Sequence, residues 1–214
     1  MSWRLLILTA TLALVGCERL QQGLGVLTHA PSREAGEAPA GVYTLNSAHS
    51  SLHVGVTHLG YSTYRARFNT VSGRLDFAPR DPRESALEVT VQAASVDSGN
   101  AEIDNALREE LFAVGEHPEI RFTAEEIAVT GESTGRITGE LAMGGERHRA
   151  SLAVTFNGAA TNPLTGEETL GFSARGTIDR TDWGLSNWVP AVGREVEIRI
   201  EAEFVKRDSG ERQD

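Results

Sequence analysis

Between Glu195 and Phe204 the chain alternates without a break. Val196, Ile198, Ile200, Ala202 and Phe204 are apolar; Glu195, Glu197, Arg199, Glu201 and Glu203 are charged. A period of two belongs to an extended strand with one face buried and the other in water. The same period recurs at Leu52, Val54 and Val56, at Leu87, Val89 and Val91, and at Leu152, Val154 and Phe156. Further strands are expected around 64–77, 119–130, 135–143 and 168–179. Turn signals separate them: Pro79 to Pro82, Thr130-Gly131-Glu132, Gly144-Gly145 and Asn162 to Gly166. Many short strands joined by polar turns make a sandwich or a barrel, so the fold class is all-β and antiparallel.

One segment keeps a different period. Asn100 can cap a helix, Glu102 and Asp104 fall in its first turn, and Ile103, Leu107 and Leu111 share one face. Gly115 and Pro118 stop it. One short helix over about 100–114 is expected, packed on the sheet or over a barrel end.

The N-terminus reads as an export signal. Arg4 precedes an apolar run from Leu5 to Val15, followed by Gly16 and Cys17. This is a signal-peptide pattern, too short for a spanning helix. Leu14-Val15-Gly16-Cys17 resembles the bacterial lipobox, in which cleavage precedes a Cys that carries a diacylglyceryl group. Cys17 is the only cysteine, so it can make no intramolecular disulfide. The competing reading is an ordinary signal peptide with an incidental Cys. The expected organisation is a signal peptide at 1–16, a lipidated Cys17 with a flexible linker over 17–41, a domain at 42–206 and a polar tail at 207–214. Leu20, Leu24 and Leu27 leave room for one amphipathic turn in the linker. The lipobox implies the periplasmic face of a bacterial membrane, and Glu18 slightly favours the outer one.

Charge and motifs exclude several function classes. The formal net charge of −10 argues against nucleic acid, whose phosphates need clustered Lys and Arg. No dinucleotide fingerprint, phosphate loop, zinc-protease helix or nucleophile elbow occurs. Glu109-Glu110 and Glu125-Glu126 are adjacent acids that splay apart rather than face one cleft. His49, His53 and His58 lie close in sequence, but with no free Cys a metal site is disfavoured against hydrogen-bonded imidazoles. His117 and His148 read as a helix exit and an exposed strand residue. No catalytic residue, cofactor or metal is expected. Phe68, Phe77, Phe122, Phe156, Phe172 and Trp183 are spread over different strands and loops. About eight strands leave a barrel interior that side chains fill or that one ligand occupies, and periodicity does not separate the two.

The order of several short motifs is more telling. Val42-Tyr43-Thr44-Leu45 and Ala48-His49-Ser50-Ser51-Leu52 come first. Thr57-His58-Leu59-Gly60, Arg65-Ala66-Arg67-Phe68 and Ser72-Gly73-Arg74-Leu75 follow. Next come Ala94-Ser95-Val96-Asp97-Ser98-Gly99-Asn100 and His117-Pro118-Glu119-Ile120-Arg121-Phe122. Gly171-Phe172-Ser173-Ala174 and Ile178-Asp179-Arg180-Thr181-Asp182-Trp183-Gly184 close the set. Together they resemble the YceI-like polyisoprenoid-binding family over residues 42 to 206. The resemblance implies an extended, lipocalin-like antiparallel β-barrel of about eight strands. It implies a long apolar channel for an isoprenoid, quinone or polyprenyl-type lipid, a periplasmic or secreted setting, and no catalysis. Two departures, Ile103-Asp104-Asn105-Ala106-Leu107 and Met143-Gly144-Gly145, remove polar or basic groups that family members carry there.

Strand alternation and resemblance together nominate the channel lining: Val54, Val56, Phe68, Phe77, Val89, Phe122, Leu141, Phe172 and Trp183. His58 and Asn100 are candidates for polar contact with a lipid head near the opening. The expected partners are the lipid itself and, through Cys17, a membrane; a homodimer is left open. The alternatives are a lipid hydrolase or isomerase with a His base such as His58, and a structural envelope module with a filled barrel.

Overall fold

A computed structural model describes residues 25–207. The expected signal peptide, Cys17 and the polar tail from 208 onward lie outside the described part.

The strands form one ring. In chain order, β1 comprises Gly41–Leu45 and Ser51–His58; β2 comprises Ser62–Phe68 and Val71–Phe77; β3 comprises Ala86–Gln92 and Val96–Asp97. Then come β4 (Glu119–Val129), β5 (Thr134–Met143), β6 (Glu146–Thr161), β7 (Glu168–Asp179) and β8 (Val192–Lys206). Each pairs antiparallel with its neighbours in sequence. The last then pairs with the first: Tyr43 faces Lys206, Leu52 faces Ile200 and Val56 faces Val196. Closure abolishes the sheet edge, which would otherwise offer unpaired backbone groups. The expected eight-stranded, lipocalin-like barrel is therefore the fold.

The first three strands are each broken once, side by side. In β1 the break is a 3₁₀ turn, Ser47–His49, capped by the Asn46 side chain, which accepts from Ala48 N at 3.2 Å. Across the breaks of β2 and β3 the backbone stays bonded: Asn69 N donates to Ser95 O and Gln92 N to Thr70 O, both at 3.0 Å. The wall bends there without leaving buried orphan groups. At the bulge between Ala124 and Glu126 on β4, a Cβ at Gly139 would collide with the Thr123 carbonyl, so β5 needs glycine there.

Helix α1 joins β3 to β4 over one end of the ring. It is α-helical from Ala101 to Ala106 and continues as a π turn over Leu107–Leu111. The expected cap is present: Asn100 Oδ1 accepts from Glu102 N at 3.0 Å and Ile103 N at 3.2 Å. Arg108 pins the helix to the break in β3, donating from Nε to Ala94 O at 2.8 Å and from Nη2 to Val96 O at 2.9 Å. The π turn ends the helix at 111, earlier than the 114 expected, because Phe112 N reaches back to Leu107 O at 2.9 Å. The wider turn swings Phe112 inward, where its ring meets Phe68 at 5.9 Å.

The opposite end holds the turns after β2, β4 and β6 and the start of β1. Tyr43, Phe77, Phe156, Phe172 and Phe204 meet there, with ring centroids 5.3 to 6.4 Å apart. Tyr43 and Leu170 are fully buried in this cluster. The linker expected at 17–41 is not free over its last residues. Ser32 and Ala159 exchange backbone hydrogen bonds of 2.9 and 2.8 Å, Ala38 is buried, and Tyr43 Oη donates to Pro39 O at 2.6 Å. Gly158, at φ +147°, makes the docking feasible: a Cβ there would stand 2.7 Å from Pro31 Cβ. The last residues of the expected flexible linker thus follow the barrel surface, with Pro31 and Pro39 at the contacts.

Candidate functional site: an apolar cavity inside the barrel

Between the aromatic floor and the helix the barrel is hollow. The cavity is about 720 Å³ and is lined almost wholly by carbon. That falls within the size range of small-ligand sites. Its floor is Leu75, Phe172 and Phe204; its walls carry inward residues of every strand, such as Leu52, Val71, Val89, Phe122, Ile137, Val154, Ile178 and Ile200; Leu107, Leu111 and Phe112 roof it. The walls are apolar because the period-two face of each strand points inward in a closed ring.

Polar groups are few and local. His58, Tyr64, Glu110 and Arg180 reach the cavity at the helix end, and Ser47, Ser50, Ser51, Arg67 and Asn69 at the breaks in β1 and β2. Arg180 is the buried cation of the site, only 4 % exposed. Its guanidinium is held by main-chain carbonyls: Nε donates to Gly193 O at 2.9 Å, Nη2 to Asn187 O at 2.9 Å and Val192 O at 3.0 Å, and Nη1 to Leu185 O. Burial lowers its pKa from the usual arginine value. These bonds fix the 185–193 loop beside the opening. Next to it, Asp179 accepts from Arg194 and from Thr181 Oγ1 at 2.6 Å. The Arg194 hydrogen bond, first among several causes, draws its pKa down to about 2.

Seven of the nine nominated lining residues reach the cavity: Val54, Val56, Phe68, Val89, Phe122, Leu141 and Phe172. Phe77 does not. It sits one level deeper, opposite Gly41 at the very end of β1, stacked on Phe156 at 6.3 Å. Trp183 does not either: the 3₁₀ turn Arg180–Trp183 tucks it behind β5, where Nε1 donates to Leu141 O at 2.8 Å. Its ring meets His148 at 5.2 Å. His58 lies on the exposed rim of the cavity. Asn100 does not line the cavity, because its side chain is spent capping α1.

Other lining residues escaped the sequence reading. Ile198 and Ile200 share a face with Val196 and were open to the same alternation argument. Phe112 and Arg180 were not: one needs the π turn and the other needs the loop it holds. His49 and His53 serve the wall instead; His49 Nδ1 bonds Asn46 Nδ2 at 2.9 Å, and His53 faces outward opposite Arg199. Among the described residues no three His, Cys, Asp or Glu side chains come together as a metal-binding group.

A closed antiparallel barrel with a carbon-lined hollow, an aromatic floor and a helical roof defines a lipocalin-like binding barrel. The chain belongs to the YceI-like domain family, whose profile matches residues 43–204. A UPF0312 protein of Pectobacterium carotovorum is 32% identical over 176 residues, 81% of this chain and 91% of that protein. The YCEI protein of Campylobacter jejuni superposes with a TM-score of 0.65 at 28% identity, over 71% of this chain and 90% of that one. A polyisoprenoid binding domain from Saccharophagus degradans, implicated in plant cell wall breakdown, shares the fold with a TM-score of 0.63. It is 14% identical and the match covers 77% of this chain and 98% of that one.

Proposed function

We propose that the barrel binds one elongated lipid chain, of isoprenoid type, lengthwise between the floor and the helix. The observation that carries this is the continuous apolar hollow of about 720 Å³ that runs between the aromatic floor and the helix. A hydrocarbon chain offers only apolar surface, so affinity comes from area removed from water, at about 25 cal/mol per Å². Part of that gain offsets the chain's lost conformational freedom. No catalytic constellation is needed, and the role is binding rather than turnover. The Saccharophagus domain with this fold is a polyisoprenoid binder, which supports the ligand class. Quinones and polyprenyl carriers are the isoprenoid lipids of bacterial membranes with the apolar chain such a site calls for. Cys17 would carry the lipid anchor and hold the barrel at the periplasmic face, with Glu18 favouring the outer membrane, where the protein stores, buffers or carries its ligand.

The test is to purify the full chain from a bacterial envelope, extract it with organic solvent and identify the extract by mass spectrometry. A chain lipid at near one per protein is expected. Ala174 lines the cavity in mid-barrel, so Ala174→Trp should fill it and cut the recovered lipid roughly tenfold or more while the protein stays folded. No lipid from well-folded protein, or equal lipid from both, overturns the reading. Cys17→Ser protein should bind the same lipid in vitro and collect less of it in cells.

A further inference from the structure

The helix end of the barrel carries an apolar collar that nothing in the described structure covers. The β1–β2 turn presents Leu59 and Tyr61, which are 56 % and 87 % exposed. The β7–β8 loop presents Trp188 and Val189, and α1 presents Ile103, each between 37 and 38 % exposed. The three segments are tied into one surface. Leu59 N donates to Ala191 O at 2.8 Å, and Asn187 Nδ2 donates to Glu110 O at 3.1 Å. Ile103 and Trp188 also line the cavity, so apolar surface runs from outside into the hollow.

Two further observations say what meets this collar. Leu59 and Trp188 both have left-handed backbones, at φ 50° and 62°. That conformation is costly for bulky side chains and is expected only where it is held for a purpose. Here it turns a leucine and a tryptophan toward solvent. The collar loops are also free of charge. Gly184 to Gly193 holds no Asp, Glu, Lys or Arg, and neither does Gly55 to Tyr64, in a chain of which 23% is charged. A protein partner of a −10 chain would be recognised through charge at the rim. The two uncharged loop tips, with Leu, Val, Tyr and Trp, instead match the boundary between lipid headgroups and acyl chains, where Tyr and Trp concentrate, while α1 beside them carries the exposed acids Glu102, Glu109 and Glu110. At the opposite end Val129 stands alone at the close of β4, and Leu164 is exposed beside Val26 and Leu27, where Gly25 meets Pro163; among the described residues no Trp or Tyr is exposed there, and none of these residues lines the cavity.

We infer that the collar dips into a lipid bilayer, so that the cavity opens directly onto the acyl region and a lipid passes between them without crossing water. This rests on the lipid-binding reading above. Apolar insertion, not charge attraction, would hold the barrel there. Docking should therefore occur on uncharged phosphatidylcholine and survive added salt.

The experiment places one environment-sensitive dye on the full chain carrying Cys17→Ser, through either Tyr61→Cys at the mouth or Leu164→Cys at the floor end. The segment Leu5–Val15 is common to both proteins and cannot favour the mouth. On adding phosphatidylcholine vesicles, the dye at position 61 should shift to the blue and become shielded from iodide, and the dye at 164 should not. Leu59→Ser with Trp188→Ser should weaken vesicle partitioning roughly tenfold. No shift at 61, or a shift at 164 alone, overturns the inference. Mass spectrometry of the same preparations separates the two readings. Protein that carries a chain lipid but stays wet at 61 overturns docking alone. Protein that docks through 61 and carries no lipid supports the collar and overturns the lipid-binding reading.

Discussion

The two ends of this barrel are built from the same strands and finished in opposite ways. At the floor, five rings pack against one another, edge to face and stacked, Tyr43 and Leu170 lose all contact with water, and residues 31–40 lie across the outside. At the mouth, a π-ended helix and two uncharged loops ring an opening, and large apolar side chains face solvent. Inward position alone therefore does not decide whether a strand residue fills or lines. The decision lies in what arrives from across the ring. Phe77 meets three aromatic rings there, whereas Phe122, equally inward, borders the hollow. The floor is a packed end and the mouth an open one, and the proposed exchange of ligand through the mouth predicts that each can be disturbed without the other.

The largest expected effect is at the floor. Phe77→Ala removes a ring from a closely packed cluster and leaves a void, which costs about 3–5 kcal/mol. Val54→Ala trims a wall that already faces open space, so it should cost about 1 kcal/mol. Urea unfolding should show a much lower midpoint for the first, near wild-type behaviour for the second, and unchanged slopes. Equal losses at both positions would mean that the hollow is packed in solution and the contrast between the ends is false.

Next in size is an alkaline effect confined to the floor. Burial, with the Glu168 carboxylate adding to it, pushes the Tyr43 phenol up to about 12. The fold thus favours the neutral phenol, while the unfolded chain ionises near pH 10. The resulting contribution is complete below pH 10 and is lost as the pH rises to about 12; two pH units correspond to about 2–3 kcal/mol. Tyr43→Phe forfeits the bond to Pro39 O, so it should be less stable by about 1 kcal/mol at pH 7. Lacking an ionisable group there, it should close that gap above pH 10 and be the more stable of the two by pH 12. Stability curves that stay parallel over that range would show that the phenol is hydrated and the floor is not sealed.

Much of this contrast could be read in the chain, and the unread part has physical reasons. Alternation at 196–204 and its counterparts placed the strands, since one buried face enforces a period of two whatever the partner. The cap at Asn100 was local and therefore legible. Phe77 and Trp183 were assigned to the lining because an aromatic on a strand or turn carries no mark of its depth in the ring. Arg180 was overlooked because its four acceptors are main-chain carbonyls, which no side-chain pattern records. The docking of residues 31–40 depends on room left by Gly158, more than a hundred positions away.

The smallest effect belongs to the mouth and appears in acid. Asp179 ends β7 beside the 185–193 loop, and the Arg194 hydrogen bond keeps its carboxyl down at about 2, below its usual 3.8. A carboxyl with a lowered folded-state pKa adds stability above about pH 4 and surrenders it as the pH falls toward 2. The pair lies at the surface, so the global effect should be slight. Locally it should be visible, because Arg194 adjoins Gly193, whose carbonyl holds Arg180. Amide exchange in the 185–193 loop should therefore quicken between pH 4 and 2, after correction for intrinsic rates, while the floor strands stay protected. Asp179→Asn should show the faster loop exchange already at pH 7 and no further change in acid. If the floor opened together with the loop, the two ends would be one cooperative unit. If only the loop opened, acid would be a way to loosen the mouth of a barrel whose base stays shut.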